Sequence, residues 1–136
     1  MKGIAAAVLT LVLAGAACDN SNQDSITPPS PPQTTDPFTG TVEVGSSDFH
    51  NFTVTQTGEV DITLTAAGPP PTIFMGLGVG TGGTACTLQQ GATTNVQAGA
   101  TAQLTGTANP GTYCVEVYDI GNQTVPVTYS VTVAHP

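Results

Sequence analysis

A chain of 136 residues has room for one domain and a short extension. Tryptophan is absent and aromatics make up only 5% of residues, so a core must be built from aliphatic and small side chains, with threonine, valine and glycine favouring strands and turns. Lys2 is the only Lys or Arg against nine Asp and Glu and two His, which leaves nothing to neutralise phosphates and excludes nucleic acid as a partner.

Met1-Lys2 forms a short positive start, and Ile4 to Ala14 is an apolar run too short for an ordinary membrane span. This is the pattern of an export signal, and two processing sites compete. Ala14-Gly15-Ala16 fits simple secretion with Ala17 as the new first residue. Gly15-Ala16-Ala17-Cys18 resembles a bacterial lipoprotein box, in which Cys18 becomes the lipid-modified N-terminus, with Gly15 standing where that motif prefers leucine. Cysteine parity favours the second reading. Three cysteines in an exported chain leave one unpaired, and acylation of Cys18 removes the odd thiol.

Asp19 to Pro37 has no periodicity and almost no large apolar side chain, so residues 18–37 are expected to be a disordered linker. Its prolines favour extended polyproline II, with a reach of at most about 60 Å at ~3.1 Å per residue. The anticipated organisation is therefore a signal over 1–17, a linker over 18–37 and one folded domain over 38–136.

From Phe38 onward short apolar alternations are separated by turn residues. Strands are expected at Thr39 to Val44, Asp48 to Thr55, and Glu59 to Thr65, the last with Val60, Ile62 and Leu64 on one face. Gly68-Pro69-Pro70-Pro71 breaks the chain. Ile73 to Val79 resumes with Ile73, Met75, Leu77 and Val79 inward and Gly76 and Gly78 outward. Gly80 to Gly83 reads as a flexible loop, Ala85 to Gln89 as a short strand, and Gly91 to Gly99 as irregular. Ala102 to Thr107 precedes the turn Asn109-Pro110-Gly111, where proline presets φ and glycine accepts φ > 0. Beyond it, Tyr113, Val115 and Val117 share one face, and Val127, Tyr129, Val131 and Val133 share another, which predicts a closing hairpin. About eight strands with regular turn signals predict an all-β antiparallel sandwich, jelly-roll-like. Cys86 and Cys114 are left to pair, and Cys114 lies opposite Tyr113 and Val115, which places the bridge on a sheet surface or edge.

The segments Phe38-Thr39-Gly40-Thr41, Asp48-Phe49-His50-Asn51-Phe52-Thr53-Val54 and Gly58-Glu59-Val60-Asp61-Ile62-Thr63-Leu64 resemble the front half of a bacterial pre-peptidase C-terminal domain. Gly111-Thr112-Tyr113-Cys114-Val115-Glu116-Val117 and Tyr129-Ser130-Val131-Thr132-Val133 resemble its back half. The resemblance covers Phe38 to Pro136. It implies a jelly-roll-like sandwich of the kind appended to exported enzymes, some of which bind collagen, carbohydrate or calcium. Within these 136 residues no attached catalytic domain is expected.

Chemistry-bearing motifs are sparse. There is no Gly-x-Ser-x-Gly, His-Glu-x-x-His or Cys-x-x-Cys. His50 and His135 have no evident nucleophile partner, and in an exported protein Cys114 is better used in a disulfide than as a thiol meeting His50. The carboxylates Glu43, Asp48, Glu59, Asp61, Glu116 and Asp119 lack the dense spacing of a calcium loop and read as solvated strand faces. Phe49 and Tyr118 sit opposite their strands' apolar rows, where they are available as exposed rings. A ligand, if bound, is expected on uncharged polar loops, with Gln89, Gln90, Asn95, Gln97, Tyr118 and Asn122 forming the binding edge. The expectation is a non-enzymatic module with no cofactor. It is displayed in the bacterial envelope through a membrane anchor at Cys18 and binds an envelope protein or polysaccharide. The alternatives are a structural, assembly or peptidase-accessory role, or simple secretion.

Overall fold

The computed structural model describes residues 27–136. The expected export signal over 1–17, Cys18 and the expected linker up to residue 26 lie outside the described residues. Eight strands follow in order: β1 (Thr34–Val42), β2 (Ser47–Val54), β3 (Gly58–Gly68), β4 (Met75–Thr81), β5 (Thr87–Val96), β6 (Leu104–Ala108), β7 (Gly111–Tyr118) and β8 (Val127–His135). They form two four-stranded antiparallel sheets, ordered β1-β8-β3-β6 and β2-β7-β4-β5. The pairs β1–β8, β2–β7, β3–β6 and β4–β5 nest inside one another. The chain is in effect one long antiparallel ribbon, turned at β4–β5 and rolled up so that β8 also meets β3 and β7 meets β4. This is the connectivity of a jelly roll, and the sandwich expected from the strand pattern is present.

Period-two alternation puts one face of each sheet inward. Val42, Phe52, Val54, Val60, Ile62, Leu64, Met75, Leu77, Val115, Val117, Val127, Tyr129, Val131 and Val133 meet in a single core between the sheets. At about 25 cal/mol per Å² of apolar surface removed from water, each buried Val, Ile or Leu contributes on the order of 1.5–3 kcal/mol.

Three expectations need correction. First, β1 begins at Thr34, inside the stretch anticipated as linker, and pairs Thr34 with His135 and Asp36 with Val133. Pro37 is tolerated because β1 is an edge strand that pairs with β8 alone. Second, β7 and β8 are not a hairpin. They lie in different sheets, and residues 119–126 carry the chain from one to the other. Alternation specifies which face is buried, but the pairing partner depends on the roll of the whole ribbon. Third, residues 91–96, expected to be irregular, belong to the ten-residue β5, interrupted by a register shift opposite Gly78 and Gly80. Its polar residues reflect an edge strand with one face in water. Gly76 and Gly78 point outward as expected, and both are buried because neighbouring side chains lean over them.

Candidate functional site

The central strand β4 reads Met75-Gly76-Leu77-Gly78-Val79-Gly80, so its outer face carries no side chains at all. The space is taken by its neighbours. A Cβ added at Gly76 would stand 2.1 Å from Cε2 of Tyr118, and one added at Gly78 would stand 2.8 Å from a methyl of Leu88. The Tyr118 ring therefore lies against bare backbone and is half-buried there. Ser47, Tyr118, Gly76 and Asn95 are in register across β2, β7, β4 and β5, so they form one row on the outer face. Next to this row, Asn122 donates from Nδ2 to the Phe74 carbonyl at 3.0 Å, and the Phe74 ring is 48% exposed. The result is a patch combining two aromatic rings with two primary amides, bordered by Glu116, two residues before Tyr118 on the same face of β7, and by the Asp119 carboxylate.

Of the six residues expected to form a binding edge, Asn95, Tyr118 and Asn122 gather here. Gln97 is next along the chain, but its Nε2 is engaged by the Thr72 carbonyl. Gln89 and Gln90 do not join them. They lie within the β5 register shift, at most about 17–20 Å along the chain from Asn95 at ~3.3 Å per residue, and Gln89 lines a different cleft. Phe74 was not anticipated. Its signal is the phase of the Ile73-to-Val79 alternation, which turns Phe74 outward beside the glycine column.

The loops around the patch are held in place. The Asp119 carboxylate accepts four backbone N–H groups, from Gly45 at 2.8 Å, Gly121 at 2.8 Å, Asn122 at 3.1 Å and Gln123 at 3.2 Å. The Gly45 bond, with the others behind it, lowers the Asp119 pKa below the ordinary carboxylate value. Gln123 is buried and donates to the carbonyls of Val42 at 2.9 Å and Val125 at 3.2 Å. The β4–β5 loop, offered by the sequence as a mobile recognition loop, folds back over the sheet. Asn51 Nδ2 donates to the Gly83 carbonyl at 2.8 Å, and Gly83 N–H donates to Asn51 Oδ1 at 3.2 Å. Beneath it the Cys86–Cys114 disulfide forms, with sulfurs 2.01 Å apart. The bridge is on an outer sheet face as expected, but the loop covers it so completely that Cys114 is fully buried.

A second polar cluster sits between the sheets at the β1–β2 edge. Tyr129 Oη donates to Asp48 Oδ2 at 2.7 Å, so the 2.9 Å bond between His50 Nε2 and Tyr129 Oη requires His50 to be the donor. His50 stacks on Phe38 at 4.8 Å between ring centroids. Burial, followed by the bond to Asp48 and its charge, raises the Tyr129 pKa well above the ordinary phenol value. Nearby, buried His135 holds Asp36 through Nε2 and Oδ2 at 2.9 Å. Both histidines thus have carboxylate or phenol partners: His50 bridges the two sheets, and His135 joins β8 to its neighbour β1 within one sheet. His50 and Cys114 cannot meet: His50 faces inward on β2, while Cys114 faces outward on the adjacent β7. The carboxylates do not converge either. Among the described residues no three His, Cys, Asp or Glu side chains are grouped to hold a metal.

The third feature is a cleft of about 350 Å³ where the edge strands β5 and β6 diverge. Phe52, Val60, Ile62, Val79, Leu104 and Tyr113 contribute its apolar lining, and Gln89 and Asn109 are among its polar groups. Compared with known families and curated proteins, the chain matches no family model and no curated protein.

Proposed function

We propose that this chain is a non-enzymatic binding module of the bacterial cell envelope, anchored by a lipid on Cys18, whose sandwich takes uncharged polysaccharide on the Tyr118 surface. The observation that carries this reading is the Tyr118 ring laid on Gly76, with Asn95 in the same row and Asn122 and exposed Phe74 beside it. Sugar rings present apolar C–H faces that pack on aromatic faces, and their hydroxyls exchange hydrogen bonds with amides that both donate and accept. No Lys or Arg lies among the described residues and the carboxylates Glu116 and Asp119 flank Tyr118, so an anionic glycan would be repelled and a neutral one is favoured. The resemblance of the segment order to pre-peptidase C-terminal domains supports an exported, accessory type of module.

Binding is measured by retention of the purified chain on insoluble neutral polysaccharides, namely chitin, cellulose and β-1,3-glucan. The expected result is retention on at least one of them, reduced at least tenfold by Tyr118→Ala and by Asn122→Ala. Absence of retention on all three, or retention unchanged in both variants, overturns the proposed surface.

A further inference from the structure

Two carboxylates border the Tyr118 patch, and they are placed differently. Asp119 is committed to the loops: its Oδ1 accepts the N–H groups of Gly121, Asn122 and Gln123, and its Oδ2 accepts that of Gly45. Glu116 stands two residues before Tyr118 on the outer face of β7, in one row with Phe49 of β2, Gly78 of β4 and Thr93 of β5. Its direct cross-strand neighbours are therefore a phenyl ring and bare backbone, and neither offers a side-chain donor. No Lys or Arg lies among the described residues to pair with it.

The frame around this carboxylate is apolar. Phe49 flanks it on one side. On the other, Leu88 leans over Gly78, with a methyl 2.8 Å from where a Cβ would stand. Along β7 the same face carries the Tyr118 ring on one side of Glu116 and the Cys86–Cys114 disulfide on the other. Glu116, Phe49 and Leu88 are each half-buried. Apolar shoulders lower the local dielectric, so a hydrogen bond made to Glu116 is stronger than one made in open solvent. The Tyr118 ring rests on Gly76, the diagonal neighbour of Glu116 at about 7–8 Å, a span that long side chains cross. One ligand can therefore touch both.

The polar groups set what that ligand must carry. An ionised carboxylate only accepts hydrogen bonds, and it does so through two adjacent oxygens. Asn122 has one N–H engaged by the Phe74 carbonyl, which leaves Oδ1 and one N–H for a ligand. Glu116 thus tips the patch towards acceptors, and two donors side by side fill it best.

We infer that Glu116 sets glycan specificity, accepting both hydroxyls of a vicinal diol while the sugar ring packs on Tyr118. The inference rests on the polysaccharide reading and narrows it to chains with free hydroxyls on adjacent ring carbons. Of chitin, cellulose and β-1,3-glucan, cellulose alone has this feature along its length, because a β-1,4 linkage leaves the 2- and 3-hydroxyls of each glucose free. In β-1,3-glucan the linkage uses O3, so no two adjacent ring carbons keep free hydroxyls. In chitin an acetamido group replaces the 2-hydroxyl and brings a further acceptor.

The test is calorimetric titration of the full chain with cellohexaose, laminarihexaose and N-acetylated chitohexaose. The first two share the same glucose rings and differ only in linkage, so stacking on Tyr118 is open to both and the diol to one. Cellohexaose should bind about tenfold more tightly than either of the others. Glu116→Gln, which replaces one acceptor oxygen by a donor, should remove that preference with unfolding temperature unchanged. Glu59→Gln deletes the same charge on the other sheet and should leave the preference intact, which separates a contact at Glu116 from a change in net charge. Equal binding of the two glucose hexamers, tighter binding of laminarihexaose or chitohexaose, or a preference that survives in Glu116→Gln overturns the inference and leaves the Tyr118 surface standing. Binding of none of the three also overturns it, and retention on the insoluble polymers then decides whether the polysaccharide reading survives.

Discussion

Asp119 illustrates how one side chain can order two loops. Its carboxylate accepts backbone N–H groups from the β1–β2 turn and from the β7–β8 connection, and both loops border the Tyr118 patch. Because these bonds favour the ionised form, the folded pKa lies below the unfolded one, near 3.9. The stability contributed is then present above that value and is lost as pH falls through the lower folded one. Urea unfolding should show Asp119→Asn less stable than wild type at neutral pH, with the difference closing at low pH as the wild-type carboxyl protonates. Tyr129 has the opposite sign. Its folded pKa is raised by burial and by Asp48, so its stabilisation is intact below pH ~10 and is lost as pH rises towards the higher folded value. Tyr129→Phe removes the donor to Asp48 and the acceptor of His50, and should cost about 1–2 kcal/mol at neutral pH. The variant should also lose less stability above pH 10 than wild type does. Gly76→Ala tests the seat beneath Tyr118. The new methyl displaces a ring at the free end of its side chain, so the fold should persist while retention on polysaccharide falls.

At the level of the element, the β4–β5 segment shows why polar composition alone misjudged flexibility. Gly82 passes so near the backbone that an added Cβ would stand 2.4 Å from the Tyr113 carbonyl, and Asn51 clamps Gly83. The disulfide fastens the same loop to β7 across a sequence separation of 28. In the chain-entropy model a closed loop of that size stabilises by about 3–4 kcal/mol. Replacing Cys86 and Cys114 together by serine should lower stability by roughly that amount, measured by denaturant unfolding with and without reductant. Wild type should show the reductant dependence and the variant none. Because both sulfurs are held in the disulfide, thiol reagents should label neither cysteine before reduction.

For the molecule as a whole, the uneven placement of charge is the main physical theme. The acidic side chains collect on β1, β2, the start of β3 and the end of β7, and the β4–β5 side is neutral. Such a chain, carrying a net charge of −8, is kept soluble by self-repulsion while retaining one face suited to neutral contacts. Under the proposed function, acylation at Cys18 holds that charged body at the membrane surface. Intact-mass analysis of the mature protein should find a lipid-modified N-terminal cysteine and partitioning into detergent. An unmodified chain beginning at Ala17 contradicts the anchor.

Sequence alone determined which residues face inward. The alternations at Val60-Ile62-Leu64, Tyr113-Val115-Val117 and Val127-Tyr129-Val131-Val133 each bury the side they specify, because a strand's period of two leaves no third choice. Cysteine parity likewise picked the disulfide pair. Tertiary structure decided what lies beside what. Period two says nothing about partners, so β7 and β8, adjacent in sequence, went to opposite sheets, and β1 found β8 at the other end of the chain. The same holds for the patch: Asn95, Tyr118 and Asn122 were legible as candidates, but Gln89 and Gln90 were carried away by a register shift within one strand. Phe74 entered because a column of glycines opened the surface beside it. Contacts between residues far apart in sequence are fixed by the way the ribbon rolls, and rolling is a property of the whole core.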